Sequence, residues 1–391
     1  MASVDHPPAA APTAERPYAQ VTVLDFAHDL GRYASRLFAD LGATVLRFEP
    51  PGARAQHRHG PPDDAAAAAR SADLFCNAGK TRIAIDPSDA RDHARVAAHV
   101  QRAQLVFLER DGLFAERIEW LRSLNATLVI AHLSPFGLTG PHAHWKSSDL
   151  ILQAAGGIAW LTGRPGEPPL RLAAGQASMV ASTYAAALAA VALAHAETRG
   201  QGHLLDVSAQ ECIAHSLQHA LQAYDLEGVV ASRHGVGTCD AAEAVFRCKD
   251  GRMLVASPVG LGPSWHSLVR WIRETGHPAG SALSQPCWLD PRWRKTEQAL
   301  RDFRAAFTDF IAHYTRDEIL HQALARKIVM APVSRIADVL EDEQLAHRGY
   351  FVPLAGCADG RTIRFPGAPY QLSEPVWQVA PPAPPPVARD A

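Results

Sequence analysis

Ser134-Pro135-Phe136-Gly137-Leu138-Thr139-Gly140-Pro141 opens the stretch that decides the fold. It continues through Ser148-Asp149-Leu150, Ala155-Gly156-Gly157 and Gly163-Arg164-Pro165-Gly166-Glu167-Pro168-Pro169 to an alanine-rich run from Gly175. It ends at Thr198-Arg199-Gly200-Gln201-Gly202 and Leu204-Leu205-Asp206-Val207. The order reads as a strand ending in a Gly/Pro loop, a helix, a second Gly/Pro loop, a long helix of small residues, and a strand led in by glycine. Strands alternating with helices make an open α/β sheet, and such sheets take ligands in the loops beyond their carboxyl ends.

Upstream, Val21 to Phe26 reads as a buried strand, Gly31 to Leu41 as an amphipathic helix, and Thr44 to Phe48 as a second strand ending at Glu49-Pro50-Pro51-Gly52. This βαβ start lacks GxGxxG, so it carries no nicotinamide or flavin fingerprint. Residues 51–70 read as a loop. Gly79-Lys80 is a glycine turn feeding a strand, which leaves Lys80 free to meet a phosphate. Pro87 opens a helix to Val100, followed by strand Leu105 to Leu108, helix Phe114 to Ser123 and strand Leu128 to His132.

Downstream, Asp206-Val207-Ser208 starts a helix containing Glu211 and His215. Ala244 to Ala256 alternates about Asp250-Gly251, a hairpin signature that belongs to a separate α+β unit. A Trp-rich helix from Ser264, two helices over Arg294 to Arg326, and a strand Val329 to Val333 returning to the large sheet complete the pattern. The expected division is a disordered segment 1–17, a large domain 18–200 with 327–375, linker helices and the small domain over 201–326, and a disordered Pro/Ala tail 376–391.

Composition narrows the function. A net charge of −2 over 391 residues and a pI near 6.8 give no electrostatic basis for nucleic-acid binding. Six scattered cysteines without a CxxC pair argue against a zinc site or a disulfide scaffold and for a reduced, cytoplasmic protein. The N-terminal residues do not make a signal peptide. The run Ala185 to Ala194 is too short and alanine-rich to span a bilayer.

Taken together over about Val21 to Pro375, these motifs resemble the family III CoA-transferases, the formyl-CoA transferase, carnitine CoA-transferase and α-methylacyl-CoA racemase group. The resemblance rests on Phe136-Gly137 with Thr139-Gly140-Pro141, Gly156-Gly157, Pro168-Pro169, Arg199-Gly200-Gln201, Asp206-Val207-Ser208, Glu49-Pro50, Asn77 with Gly79-Lys80, and Phe365-Pro366-Gly367. It implies a doubly wound, mostly parallel, Rossmann-like sheet with a smaller α+β domain, in an interlocked dimer. It further implies acyl-CoA and carboxylic acid substrates, without a metal or redox nucleotide, and a homodimer or a heterodimer with a paralogous subunit. The CoA contacts carried over are Glu49, Pro50, Asn77, Lys80, Arg110, Phe136 and Gly137.

The sequence departs from that pattern at four places. Gly31-Arg32 stands for the family's Gly-Pro, and one residue is missing between Phe26 and Gly31. Leu108-Glu109-Arg110-Asp111-Gly112 lacks the aromatic that stacks on adenine, which leaves Arg110 to replace it. Most consequential, counting from Arg171 to Tyr184 puts Ser178 where the family keeps its catalytic aspartate. That aspartate attacks an acyl-CoA thioester to give a mixed anhydride, and only a carboxylate can do so.

No GxSxG turn or local histidine accompanies Ser178. The other carboxylates considered are Asp149, which matches a family acid near the aspartate, Asp29 in the shortened loop, and Glu211, read as a buried helix partner. The racemase His-Asp pair aligns with Ser148-Asp149, so its bases are absent. Three readings stay open: a CoA-transferase with a displaced carboxylate or a helping partner, a catalytically silent partner of an active paralogue, and an acyl-CoA lyase or hydratase using His28, His142 or His144. The sequence favours a CoA-transferase polypeptide whose own site is degenerate.

Overall fold

Leu105–Glu109 and Val129–Ser134 are buried at every position, as strands must be when helices cover both faces of a parallel sheet. The computed structural model describes residues 16–51, 71–164, 166–231, 233, 240–251, 253–256, 263–354 and 362–381. Six strands form one sheet: β1 (Thr22–Asp25), β2 (Thr44–Glu49), β3 (Thr81–Ala84), β4 (Leu105–Glu109), β5 (Val129–Ser134) and β6 (Leu204–Ser208). Their order is β3-β2-β1-β4-β5-β6, and every pairing is parallel.

Alternate side chains serve opposite cores. Val23, Val45, Leu105, Phe107, Val129 and Leu133 pack with helices Arg32–Asp40 and Gln176–Arg199. Leu24, Phe48, Val106, Leu108 and Ile130 pack with helices Ala90–Val100 and Ile118–Leu124. The order reverses between β1 and β4, and the loops leaving the carboxyl ends of such a pair are the usual ligand position in folds of this kind.

The helix Gln176–Arg199 runs between left-handed glycines at 175 and 200. Ala177, Ala181, Ala185, Ala189, Ala192 and Ala196 form its buried stripe, and side chains this small let the helix lie close to the sheet. At 24 residues it is long and apolar enough to cross a membrane, longer than the run seen in the sequence. Its alanine stripe is nonetheless part of the domain core.

Two compact units emerge, one from 1–163, 169–231 and 347–391, the other from 164–168 and 232–346. The second contains β7 (Ala244–Arg247) and β8 (Met253–Ala256), antiparallel as the Asp250-Gly251 turn required. It also contains β9 (Met330–Val333), which pairs with β8. This corrects the expected boundaries. The strand near Pro332 does not rejoin the large sheet, β6 extends the first unit beyond residue 200, and the return comes at 347 rather than 327. A separate aromatic core supports the second unit, with Trp265, Trp271, Trp288, Phe303, Phe307 and Phe310 buried.

After the return, β10 (Phe351–Leu354) and β11 (Ile363–Pro366) form an antiparallel pair over Phe75 and Ala78. The start of the expected tail is ordered: Gln378 donates its N–H to the Asp40 carbonyl and Pro381 accepts from Gly79 N. Residues 1–15, 52–70 and 382–391, covering most of the expected N-terminal segment, loop and tail, lie outside the described residues.

Phe107 sits fully buried at the centre of β4, against Phe38. Phe107→Ala is expected to destabilise the first unit by about 3–5 kcal/mol, read as a lower urea midpoint at unchanged m-value.

Candidate functional site

The carboxyl ends of β1, β2 and β4 carry buried charges that grip the loop after β1. Asp25 is completely enclosed. Its Oδ2 accepts from Lys80 Nζ at 2.8 Å and Ser35 Oγ at 2.7 Å, and its Oδ1 from Arg47 at 3.0 Å. Burial works to raise the Asp25 carboxyl, but the Lys80 ammonium and Arg47 guanidinium outweigh it and hold the group below its ordinary range. Burial pulls the Lys80 ammonium down to about 8, against the attraction of Asp25.

The same two cations hold the ends of the loop. Arg47 donates to the Ala27 carbonyl, and Lys80 Nζ donates to the Arg32 carbonyl at 2.7 Å. Glu109, buried at the end of β4, holds the middle: its Oε2 accepts the N–H of His28 at 2.9 Å and of Asp29 at 2.8 Å. His28 Nε2 lies 3.3 Å from the other oxygen.

Three of the expected CoA contacts lie buried in this arrangement. Lys80 has a side chain with no exposed surface and both of its contacts inside the protein, so it is not free to meet a phosphate. Glu49 is buried between Arg47 and Arg82. Asn77 is also buried and donates to Asp73 at 2.8 Å. Pro50 is exposed. Phe136 is half-buried, edge-on to His142 and Trp145. Gly137 adopts a positive φ of 94°, its N–H held by Ser134 Oγ at 2.8 Å, while the Asp206 carboxylate accepts the N–H of Leu138.

Ser178 stands three residues after the capping Gly175, in the first turn of Gln176–Arg199. Its Oγ donates to Asp29 Oδ1 at 3.1 Å, and Ser182 one turn later donates to the Leu30 carbonyl at 2.5 Å. The shortened loop thus lies along the head of this helix and brings an exposed carboxylate to position 178.

Asp149 is otherwise engaged: Oδ1 accepts the Ala177 N–H at 2.9 Å and Oδ2 accepts from Gln153 at 2.7 Å. It holds the start of the long helix. Glu211 is exposed rather than buried, in the first turn of a helix capped by Ser208.

Across the crevice, the loop after β4 and the end of β5 line a cavity of about 500 Å³. Arg110, Arg117 and His144 are its basic lining, Asp111 and Glu116 its acidic lining, and Phe114, Ile118 and Leu138 its apolar walls. Arg110 donates to the Gly137 carbonyl at 3.3 Å. His132, also lining it, is buried and has no partner for Nδ1 among the described residues. Burial and the nearby Arg110 keep its imidazole pKa low.

Clefts of about 610 and 580 Å³ in the second unit are surface grooves between helices. The 500 Å³ cavity, by contrast, opens at the carboxyl ends of β4 and β5. Among the described residues, His277, Asp309 and His313 gather closely enough for a metal ion. However, His277 Nδ1 accepts the Ala279 N–H at 3.2 Å. Its ring proton then sits on Nε2 and faces Asp309 at 3.3 Å, which makes this a hydrogen-bonded pair rather than an open ligand set.

Sequence reasoning named Ser178 and Asp29 separately but not their contact, which spans 149 positions. Glu109, Arg117 and His132 were missed. Glu109 had a signal, an acid ending a fully apolar strand; the other two had none beyond residue type.

Comparisons with known proteins agree with the fold. Residues 18–390 match the profile of CoA-transferase family III. The chain is 31% identical over 377 residues to the succinyl-CoA:(R)-benzylsuccinate CoA-transferase subunit BbsE of Thauera aromatica, covering 94% of this chain and 91% of that protein. It is 27% identical to a succinyl-CoA–L-malate CoA-transferase alpha subunit of Chloroflexus aurantiacus, covering 92% and 83% respectively. A crystal structure of a CaiB/BaiF family protein from Brucella suis superposes with a TM-score of 0.81 at 21% identity, covering 95% of this chain and 97% of that one.

If Lys80 serves the loop rather than a phosphate, Lys80→Met acts on stability. Removing one member of a buried ion pair costs about 3–5 kcal/mol, and Asp25 keeps Arg47 and Ser35, so about 3 kcal/mol is expected. The depressed Asp25 pKa contributes stability that is full above the unfolded value of about 3.9 and is lost as pH falls through the lower folded value. Without Lys80 that folded value rises. Acid unfolding, followed by circular dichroism, is therefore expected to begin at higher pH in the variant.

Proposed function

The chain belongs to CoA-transferase family III, and we propose that it works as one subunit of a heteromer with a paralogous subunit that bears an aspartate at the position of Ser178. The transferase moves CoA between an acyl-CoA thioester and a free carboxylic acid. The observation that carries the heteromeric reading is Ser178 itself, at the head of Gln176–Arg199 where the family's acyl-accepting carboxylate would stand. Two of the similar proteins are themselves named as subunits, and both names include succinyl-CoA. By that likeness, succinyl-CoA is the donor and a substituted succinate the acceptor.

Surface chemistry supports a partner. Tyr184, Leu188 and Val191 follow one another at helical spacing on the solvent side of the long helix, with 36%, 47% and 68% of their surfaces exposed. An interlocked arrangement of the two chains, as the resemblance implies, would use such a face.

CoA is proposed to enter the cavity beyond β4, its phosphates meeting Arg110, Arg117 and His144, with Pro50, Phe136 and Gly137 lining the approach. Arginine suits this role because its planar fork pairs with phosphate oxygens. A second reading, that this chain only shapes its partner's site, also draws on Ser178. It differs in whether the chain's own crevice turns over.

Two measurements check the proposal. Charge-assisted hydrogen bonds are worth about 1.5–3 kcal/mol, so Arg110→Ala is expected to weaken CoA binding by about tenfold or more in calorimetry. Co-expression with the paralogue is expected to give succinyl-CoA-dependent transfer that neither chain shows alone. Full transfer by this chain alone would refute the heteromeric reading.

A further inference from the structure

Exchanging CoA between two acids poses a chemical problem, because a free carboxylate is too poor an electrophile for a thiolate to attack. A protein carboxylate solves it by taking the acyl group as a mixed anhydride, which no serine hydroxyl can form. The question for this chain is whether any carboxylate reaches the place that Ser178 leaves without one.

One does. Asp29 Oδ1 lies 3.1 Å from the Oγ of Ser178, a residue in the first turn of a 24-residue helix, where the macrodipole favours negative charge. The carboxylate is exposed, and the loop behind it is fixed. Glu109 holds the His28 and Asp29 N–H groups, and Ser182 holds the Leu30 carbonyl. By contrast, both oxygens of Asp149 are taken by protein donors. The loop sits at the carboxyl end of β1, next to β4 and the crevice.

We propose that Asp29 is the acyl-accepting nucleophile of this chain, its carboxylate delivered by the loop after β1 to the position that a side chain at 178 would otherwise fill. This deepens the proposed function and rests on the CoA-transferase reading.

The steps balance without a redox partner. An Asp29 oxygen attacks the thioester carbonyl carbon, a C–O bond forms, the C–S bond breaks and CoA leaves as thiolate. The thiolate then attacks the Asp29 carbonyl carbon of the anhydride, releasing the first acid as its carboxylate and leaving an Asp29 thioester. An incoming carboxylate attacks that thioester and expels the thiolate again. The thiolate finally attacks the new acyl carbonyl, forming the second thioester and restoring Asp29. Ser178 is a positioning residue that donates to Oδ1, and Glu109 positions the loop through its backbone.

The test uses the complex of this chain with its paralogous subunit, incubated with succinyl-CoA and quenched with hydroxylamine. Hydroxylamine converts an anhydride or thioester into a hydroxamate at the residue that carried it, located by peptide mass spectrometry. The expected result is a hydroxamate on Asp29, lost to background in Asp29→Asn and retained in Ser178→Ala. Because Asp29 is exposed, the Asn variant is expected to keep the wild-type urea midpoint. Hydroxamate on the partner subunit alone, with active transfer, would overturn the assignment of Asp29 while leaving the transferase reading standing. No transfer and no hydroxamate on either subunit would overturn both.

Discussion

A carboxylate sealed inside the protein, Asp25, and the two cations it draws in determine how the functional edge of the sheet is built. Burying three charges carries a desolvation cost that is offset only when every donor and acceptor finds a partner. Here the surplus donors of the cations meet that need by reaching the backbone: Arg47 takes the Ala27 carbonyl and Lys80 the Arg32 carbonyl. The two ends of the loop after β1 are thereby fixed by the same ion cluster that joins β1, β2 and the start of β3. Glu109 on β4 fixes the middle. A loop of a few residues has little freedom left once its ends and centre are held, so the direction of its side chains is set by the sheet.

The strand order gives this loop its importance. Because the chain winds outward in both directions from β1 and β4, the loops leaving that central pair stand at the usual ligand position of such folds. One wall is the clamped loop with the head of the alanine helix. The other is the arginine-lined cavity after β4. Small side chains on the helix, buried at every turn, let its N-terminus come close enough for Ser178 and Ser182 to bond the loop. The packing of alanines along the whole helix is thus connected to the position of one carboxylate at its end.

Most of the six parallel strands were legible as short apolar runs, β3 (Thr81–Ala84) by the glycine turn that feeds it, and the hairpin by its Asp250-Gly251 turn. The strand Met330–Val333 was legible as a strand but not as to its sheet, since four residues with mixed burial carry no pairing preference. Lys80 shows a different limit. A lysine after a glycine turn looks solvated in a sequence, and only the enclosed Asp25, 55 positions away, reveals its role. The same holds for Glu49, whose partners Arg47 and Arg82 come from two strands. Local pattern reports periodicity, whereas ion pairing depends on which strands become neighbours.

Two departures that looked independent in the sequence become one in three dimensions. The resemblance expects one residue more in the loop after β1, and the helix after Pro169 carries Ser178 in its first turn where the resemblance expects aspartate. A longer side chain at 178 would occupy the space where Asp29 Oδ1 now stands 3.1 Å from the serine hydroxyl, and two carboxylates there would repel each other. Asp29 on that loop meets the helix at position 178, where a small hydroxyl both leaves room for the carboxylate and donates to it. The hydrogen bond from Ser178 to Asp29 is the physical link between the two positions.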